Sequence, residues 1–315
     1  MKRKNNQTCH VLEFAKRLCE DGTAPWLQDL KLCEETVKKA VPGLTAEGYI
    51  SQDSDVKNIA RTAFTVAQWM KTKQCYSITK ELAVDLFSTD DLSIPLEMLH
   101  LPFPVFYLDM EKFQEPMAGH PGATYLGSII MIQEILYGDV IASCCSIVTI
   151  GLGEDGQYVY GNTSFDYYPE YMENSLEETV ELLTKNFTEG KQYIKNALMF
   201  AAYLSSEQPE ITENEIQKKI YRSSVKPKYS SLRKWDVGVR YAKEKQVQKN
   251  METKEMETVK NIKAGRKSPR IHMRRAHWQT YRVGPGRRER KLLWIPPVTV
   301  GGGKGEAPVV VRELN

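Results

Sequence analysis

The stretch VIASCCSIVTIGLGEDGQYVYGN, residues 140–162, decides between two folds. Its GLGEDG segment has the glycine spacing of a dinucleotide-binding loop, which works only if a helix comes next and points its N-terminus at a pyrophosphate. The next residues are QYVYGN, whose β-branched and aromatic side chains favour a strand. Glu154, Asp155 and Gly156 therefore read as the turn of a β-hairpin, and no nucleotide cofactor is expected.

Working outward, GSIIMIQEI (127–135) and PVFYLDM (104–110) are further strand-like runs bounded by Gly, Pro and Asp. Their order and short gaps suit an antiparallel sheet better than crossover units. The first hundred residues show helical spacing instead: Val11, Phe14, Ala15 and Leu18, then Trp26, Leu27, Leu30, Leu32 and Val37. Two more helices are expected after Ser54 and after Thr79. Downstream of the strands, Ser175 and Glu178 form a capping box. Residues 193–204 are almost wholly apolar, as a central buried helix would be. The fold class expected is α+β, with a helical N-terminal layer packed on a small, mostly antiparallel sheet and a basic C-terminal β-containing unit. The divisions expected are a core at 1–235, a charged helical linker at 236–265 and a basic aromatic unit at 266–315.

Charge is divided unevenly along the chain. From Lys260 to Lys291 there are twelve Lys/Arg against the single acid Glu289, a local charge of +11. The whole chain carries +3 and residues 292–315 are neutral, so residues 1–259 carry −8. An acidic body with a basic module makes nucleic acid the first partner to consider. The six cysteines, at 9, 19, 33, 75, 144 and 145, contain no CxxC pair. They read as reduced thiols in a cytoplasmic protein, with no metal site expected. No secretory leader and no membrane span are expected.

Catalytic motifs are sparse. Asp109, with Glu111, Lys112 and the more distant Glu134, raises the idea of a metal-dependent nuclease, which needs carboxylates converging on one metal. The acid-x-Lys spacing of such a site is missing, and acids at a strand end commonly cap turns, so no catalytic residue is assigned. The basic segment carries more information. Arginine forks pair with phosphates, and the faces of Trp278 and Tyr281 could stack on unpaired bases. The alternative is that the aromatic residues anchor a small sheet while the arginines are solvated. If residues 274–281 are helical, Arg274, Trp278 and Tyr281 share one face. Trp294, in the apolar run LLWIPP, is expected in the core with Pro296 as an anchor of the tail.

RIHMRRAHWQTYRVG (270–284) followed by LLWIPPVTV (292–300) resembles the C-terminal signature of a type V-A anti-CRISPR family carried by phages and plasmids. The matching positions are Arg270, His272, Arg274, Arg275, His277, Trp278, Tyr281, Gly284, Trp294, Pro296 and Val300. Arg282 stands where the family tends to have a second aromatic, and Gly301 where it has Asn. LPFPVFYLDM (101–110) and NALMFAAYLSSEQPEI (196–211) resemble family segments more loosely. The resemblance implies an inhibitor that recognises the N-terminal region of the newly made effector nuclease and causes loss of its messenger RNA during translation. It implies as partners that nascent segment, messenger RNA or the ribosome, and a recruited host ribonuclease, with no membrane partner. Arg270, His272, Arg274, Arg275, His277, Trp278, Tyr281, Arg287 and Arg288 are the expected RNA or ribosome contacts. Two alternatives stay open: an RNA- or DNA-binding accessory protein of a mobile element, and a divergent metal-dependent ribonuclease.

Overall fold

A computed structural model describes residues 10–20, 54–89, 92–137, 140–167, 173–184, 190–214, 232–247, 249 and 272–300. The helix expected around residues 26–37, residues 250–271 of the charged and basic stretch, and residues 301–315 of the C-terminal unit lie outside them. In chain order the elements up to the basic tail are α1 (His10–Glu20), α2 (Ser54–Thr72), β1 (Gln74–Ile78), α3 (Lys80–Phe87), β2 (Val105–Asp109), β3 (Ala123–Tyr137), β4 (Val140–Gly153), β5 (Tyr158–Tyr167), α4 (Leu176–Thr184), α5 (Lys191–Leu204), β6 (Ile211–Glu213) and β7 (Arg233–Val237).

One seven-stranded sheet runs in the order β5-β4-β3-β2-β1-β7-β6. The β4–β5 pair is the hairpin expected from the opening stretch. Gly156 donates its N–H to Gly153 O at 2.9 Å, Gly153 donates to Gln157 O at 2.8 Å, and the Asp155 carboxylate accepts from Gln157 N at 2.9 Å. Gly156 takes the left-handed φ of 76° that this turn requires. Four of the six strand pairings are antiparallel, giving the mostly antiparallel sheet expected of an α+β fold. β1 is the departure: it pairs parallel to both β2 and β7. The α3 crossover between β1 and β2 makes that pairing possible.

Period-two alternation sends the side chains of each strand to opposite faces. On one face Cys75, Tyr107, Ile129 and Val148 pack under α1 and α2, which bring Phe14, Leu18, Val66 and Trp69. On the other, Tyr76, Phe106 and Ile130 meet α3, α4 and α5. Phe200 of α5 lies 5.9 Å from both the Tyr76 and Phe106 rings, and every residue from Ala197 to Leu204 is buried. This is the central buried helix that the apolar run announced. The capping box forms at α4, where Ser175 N donates to the Glu178 carboxylate at 2.8 Å and Glu178 N donates to Ser175 Oγ at 3.2 Å.

β7 runs through position 235, where a division was expected. Beyond it, residues 239–247 are helical and tied to the body. Tyr241 N donates to the Glu210 carboxylate at 2.9 Å, and Lys245 Nζ lies 2.5 Å from the Asp85 carboxylate, which also accepts the Tyr241 hydroxyl. Among the described residues no helix is long and apolar enough to cross a membrane.

Candidate nucleic-acid interface

The basic tail builds strands, so the helical arrangement considered for residues 274–281 does not form. The strands are β8 (His272–Arg274), β9 (His277–Val283), β10 (Glu289–Ile295) and β11 (Val298–Val300). β9 and β10 form a hairpin in which Ile295 pairs with His277. Three residues farther along each strand, Val298 pairs with Arg274 of β8, so one register runs through both pairs. The ladder breaks only where Pro296 and Pro297, which have no N–H to donate, face Arg275 and Ala276. The whole is a single interrupted ribbon. Its tip needs left-handed backbone at Gly284 and Gly286, and Arg287 is held at a φ of 53°.

Alternation along the ribbon divides the aromatic residues. Trp278 pairs in register with Trp294, the ring centroids are 4.9 Å apart, and the two residues are 6% and 9% exposed. They join the same hydrophobic cluster as Tyr76 and Phe200. Trp278 is therefore packed into the core rather than offered as an open stacking face, which corrects its expected role as a stacking platform. Both arrangements were open from the sequence because Arg274, Trp278 and Tyr281 fit helical spacing as well as Trp278, Thr280 and Leu292 fit a two-stranded face. An eight-residue window does not separate the two periods.

Tyr281 points the other way, half-buried, and its hydroxyl donates to the Glu207 carboxylate at 2.9 Å. Lys291 Nζ lies 2.5 Å from the other oxygen of Glu207, while Glu207 N donates to Leu292 O at 2.9 Å. Lys291 and Tyr281 hold the Glu207 carboxyl below the usual glutamate range, and Glu207 in turn raises Lys291. Arg290 pairs with Glu97 at 3.0 Å. Sequence reasoning passed over Glu97 and Glu207, because nothing local marks an acid as the anchor of a ribbon some eighty to two hundred residues away.

Among the other expected contacts, Arg274, Arg275, Arg287 and Arg288 are exposed, and His277 is half-buried with Nδ1 3.2 Å from Arg275 O. Pro296 is exposed at the break in the ladder. His272 lies in β8, and Arg270 falls outside the described residues. The structure thus presents the ribbon tip and the arginines at its break to solvent, while Trp278 and Trp294 seat the ribbon on the body.

Asp109 lies elsewhere, at the end of β2. It faces Ser77 of β1, which in turn faces Asp236 of β7. Burial pushes its carboxyl up, partly offset by the Glu111 N–H and by Lys234 and Lys112. Its partner across the β2–β3 ladder is Gly127. Glu134 is seven positions farther along β3, about 23 Å away at strand rise, so it cannot share a metal with Asp109. No group of three His, Cys, Asp or Glu able to hold a metal occurs among the described residues.

The comparisons bear on the ribbon directly. Residues 156–302 match the model of the AcrVA2-like family, the anti-CRISPR type V subtype A2 family. These residues, just under half of the chain, are similar to that family. The resemblance of the tail to the type V-A anti-CRISPR family holds, and the AcrVA2-like region extends upstream of it to the turn before β5, taking in α5, the Glu207 anchor and the ribbon. The whole chain shares its fold with the crystal structure of AcrVA2, at a TM-score of 0.54 and 18% identity over 91% of this chain and 94% of that one. No curated protein matches the chain.

Proposed function

We infer that this chain is an anti-CRISPR inhibitor directed at a type V-A system, and that it acts on the effector nuclease as that protein is being made. In this reading it recognises the N-terminal segment of the nascent effector and triggers degradation of the messenger in a translation-dependent manner. The observation that carries the inference is the AcrVA2-like region at residues 156–302. The division of charge suits the task. A body carrying −8 would not bind RNA over its whole surface, whereas a ribbon with exposed Arg274, Arg275, Arg287 and Arg288 offers a local contact to messenger or ribosome. In this reading degradation falls to a recruited host ribonuclease.

The test separates peptide from RNA. Effector transcript is quantified in cells with and without this protein, using two recoded genes. One keeps the N-terminal peptide and changes its codons synonymously; the other keeps nearly the same RNA and shifts the reading frame over that segment. Loss of transcript with the first and not the second is expected. Loss with the second but not the first would refute peptide recognition and favour a plain RNA-binding accessory protein, the reading that the exposed arginines alone would support.

A further inference from the structure

A cleft of about 360 Å³ opens between the 93–98 strap and the β9–β10 hairpin. The strap is fixed to the start of α4: Leu96 N donates to Asn174 O and Leu176 N to Ile94 O, both at 2.9 Å. Arg282 and Arg290 both line the opposite wall. They are direct cross-strand partners in the ladder, so their side chains emerge side by side on one face. Like charges in that position destabilise a hairpin unless something negative lies between them. Glu97 pairs with Arg290 alone, and Arg282 has no ion-pair partner among the described residues. Deeper in the same wall the buried Trp278 Nε1 donor also lacks an acceptor. A buried donor left without an acceptor is costly, and the neighbouring Trp294 Nε1 is left in the same state.

We propose that this cleft is a phosphate-binding site that takes one nucleotide-sized unit. The phosphate sits against the opposed Arg282 and Arg290 guanidinium groups, and the rest of the unit lies toward Ile94, Pro95 and Met98. Guanidinium forks match phosphate oxygens, and a ligand rich in acceptors is what a wall of unfilled donors selects. Of the strap's apolar residues, half-buried Pro95 is the one that a base or sugar could cover. The proposal deepens the RNA-contact reading by placing one phosphate of the chain, yet it does not depend on messenger decay. Glu97 acts as the internal competitor: while it holds Arg290, only Arg282 is fully available.

The test uses the full chain and three probes: a fluorescent twelve-residue oligouridine, adenosine monophosphate and inorganic phosphate. Binding is measured alongside the indole N–H resonance of Trp278, assigned with Trp278→Phe. The oligouridine and the mononucleotide are both expected to bind and to move that resonance, the oligomer more tightly if the phosphate belongs to a chain, the mononucleotide equally tightly if the ligand is a free nucleotide. Arg282→Ala should weaken binding about tenfold to a hundredfold, whereas Lys191→Ala, an exposed cation of the body at the start of α5, should change it less than about threefold. Glu97→Gln should strengthen binding, an effect opposite to that of merely losing a structural ion pair. If the oligouridine binds with Arg282→Ala unaltered and the Trp278 resonance fixed, the cleft proposal is overturned while the RNA reading survives. If the mononucleotide binds through Arg282 but transcript loss does not occur, the cleft stands and the proposed function falls. Competition by inorganic phosphate as strong as by the mononucleotide would overturn the nucleotide-sized ligand, and absence of binding by all three probes would overturn the site.

Discussion

Removing the Trp278 side chain tests whether the ribbon belongs to the core or merely lies on it. Trp278 is 6% exposed and packs on Trp294 at 4.9 Å, within the range at which aromatic pairs attract each other beyond simple burial. Trp278→Ala should then cost about 3–5 kcal/mol as a buried truncation. At about 2–4 °C per kcal/mol for a domain of this size class, the melting temperature should fall by about 6–20 °C. Trp294→Ala should behave alike, and because the rings touch, the double variant should lose less than the two single losses combined, by about 0.5–3 kcal/mol. Trp278→Phe gives a sharper reading. It keeps most of the apolar contact and removes the buried indole N–H that has no partner, so its cost should be small, about 0–2 kcal/mol. Thermal and urea unfolding of the four variants measures all of this. A Trp278→Ala protein that melts within about 2 °C of the parent while losing effect on transcript would refute the packing argument and return Trp278 to the ligand surface.

Three other outcomes rest on particular contacts. Gly127 sits at the bulge in β3, where an added Cβ would lie 2.2 Å from Leu108 O and 2.6 Å from the Tyr107 hydroxyl; Gly127→Ala should cost about 2–5 kcal/mol in urea unfolding, and a neutral result would mean the β2–β3 ladder is looser than described. Glu178 is held below the usual glutamate range first by the Ser175 backbone N–H and then by its hydroxyl, so its stabilising effect is present above the ordinary glutamate pKa and is lost as pH falls through the depressed value; an NMR titration of Glu178 should move only part of the way back up in Ser175→Ala, which keeps the N–H, and a full return would show that the hydroxyl carries the capping box alone. Asp109 is raised by burial, so the folded protein binds its proton more readily than the unfolded chain and stability declines as pH rises through the folded value. Asp109→Asn should therefore compare better with the parent at neutral pH than at acid pH in urea unfolding, and the reverse order would show that Lys112 and Lys234 outweigh desolvation.

Much of the fold was legible because local signals and tertiary structure agreed. The β4–β5 hairpin has its turn residues in place, α4 has its box, and α5 is apolar all round because it is buried all round. β1 escaped notice for a physical reason. Its helix, α2, ends with Lys73 at a φ of 50°, donating its N–H to Trp69 O at 2.7 Å, a position where Gly or Asn would ordinarily mark the stop. Without that mark QCYSI reads as a continuation. Its parallel partners β2 and β7 are also remote in sequence, and five residues carry no sign of which strands will flank them. Within the tail the sequence showed the charge and the family signature. It did not show which side of the ribbon would face the core, because that depends on strand register, set by pairing between residues up to twenty-eight positions apart.

Register also explains why a segment with so many cations can rest on the body at all. Charge alone would solvate the ribbon along its length. Instead one face brings Trp278, Leu292 and Trp294 to the core, and the acids of two distant loops receive two of the cations: Glu97 takes Arg290, and Glu207 takes Lys291 together with the Tyr281 hydroxyl. Exposed pairs of this kind add little stability each, so their effect is to fix orientation while the tryptophans supply the burial. Once those two cations are neutralised, the charge left for a partner is concentrated at Arg282, at the tip residues Arg287 and Arg288, and at Arg274 and Arg275 beside the proline break. The tail is therefore two things along one ladder. The acid-paired and apolar positions hold it in place, and the arginines between and beyond them, without an acid partner among the described residues, are what a polyanion would meet.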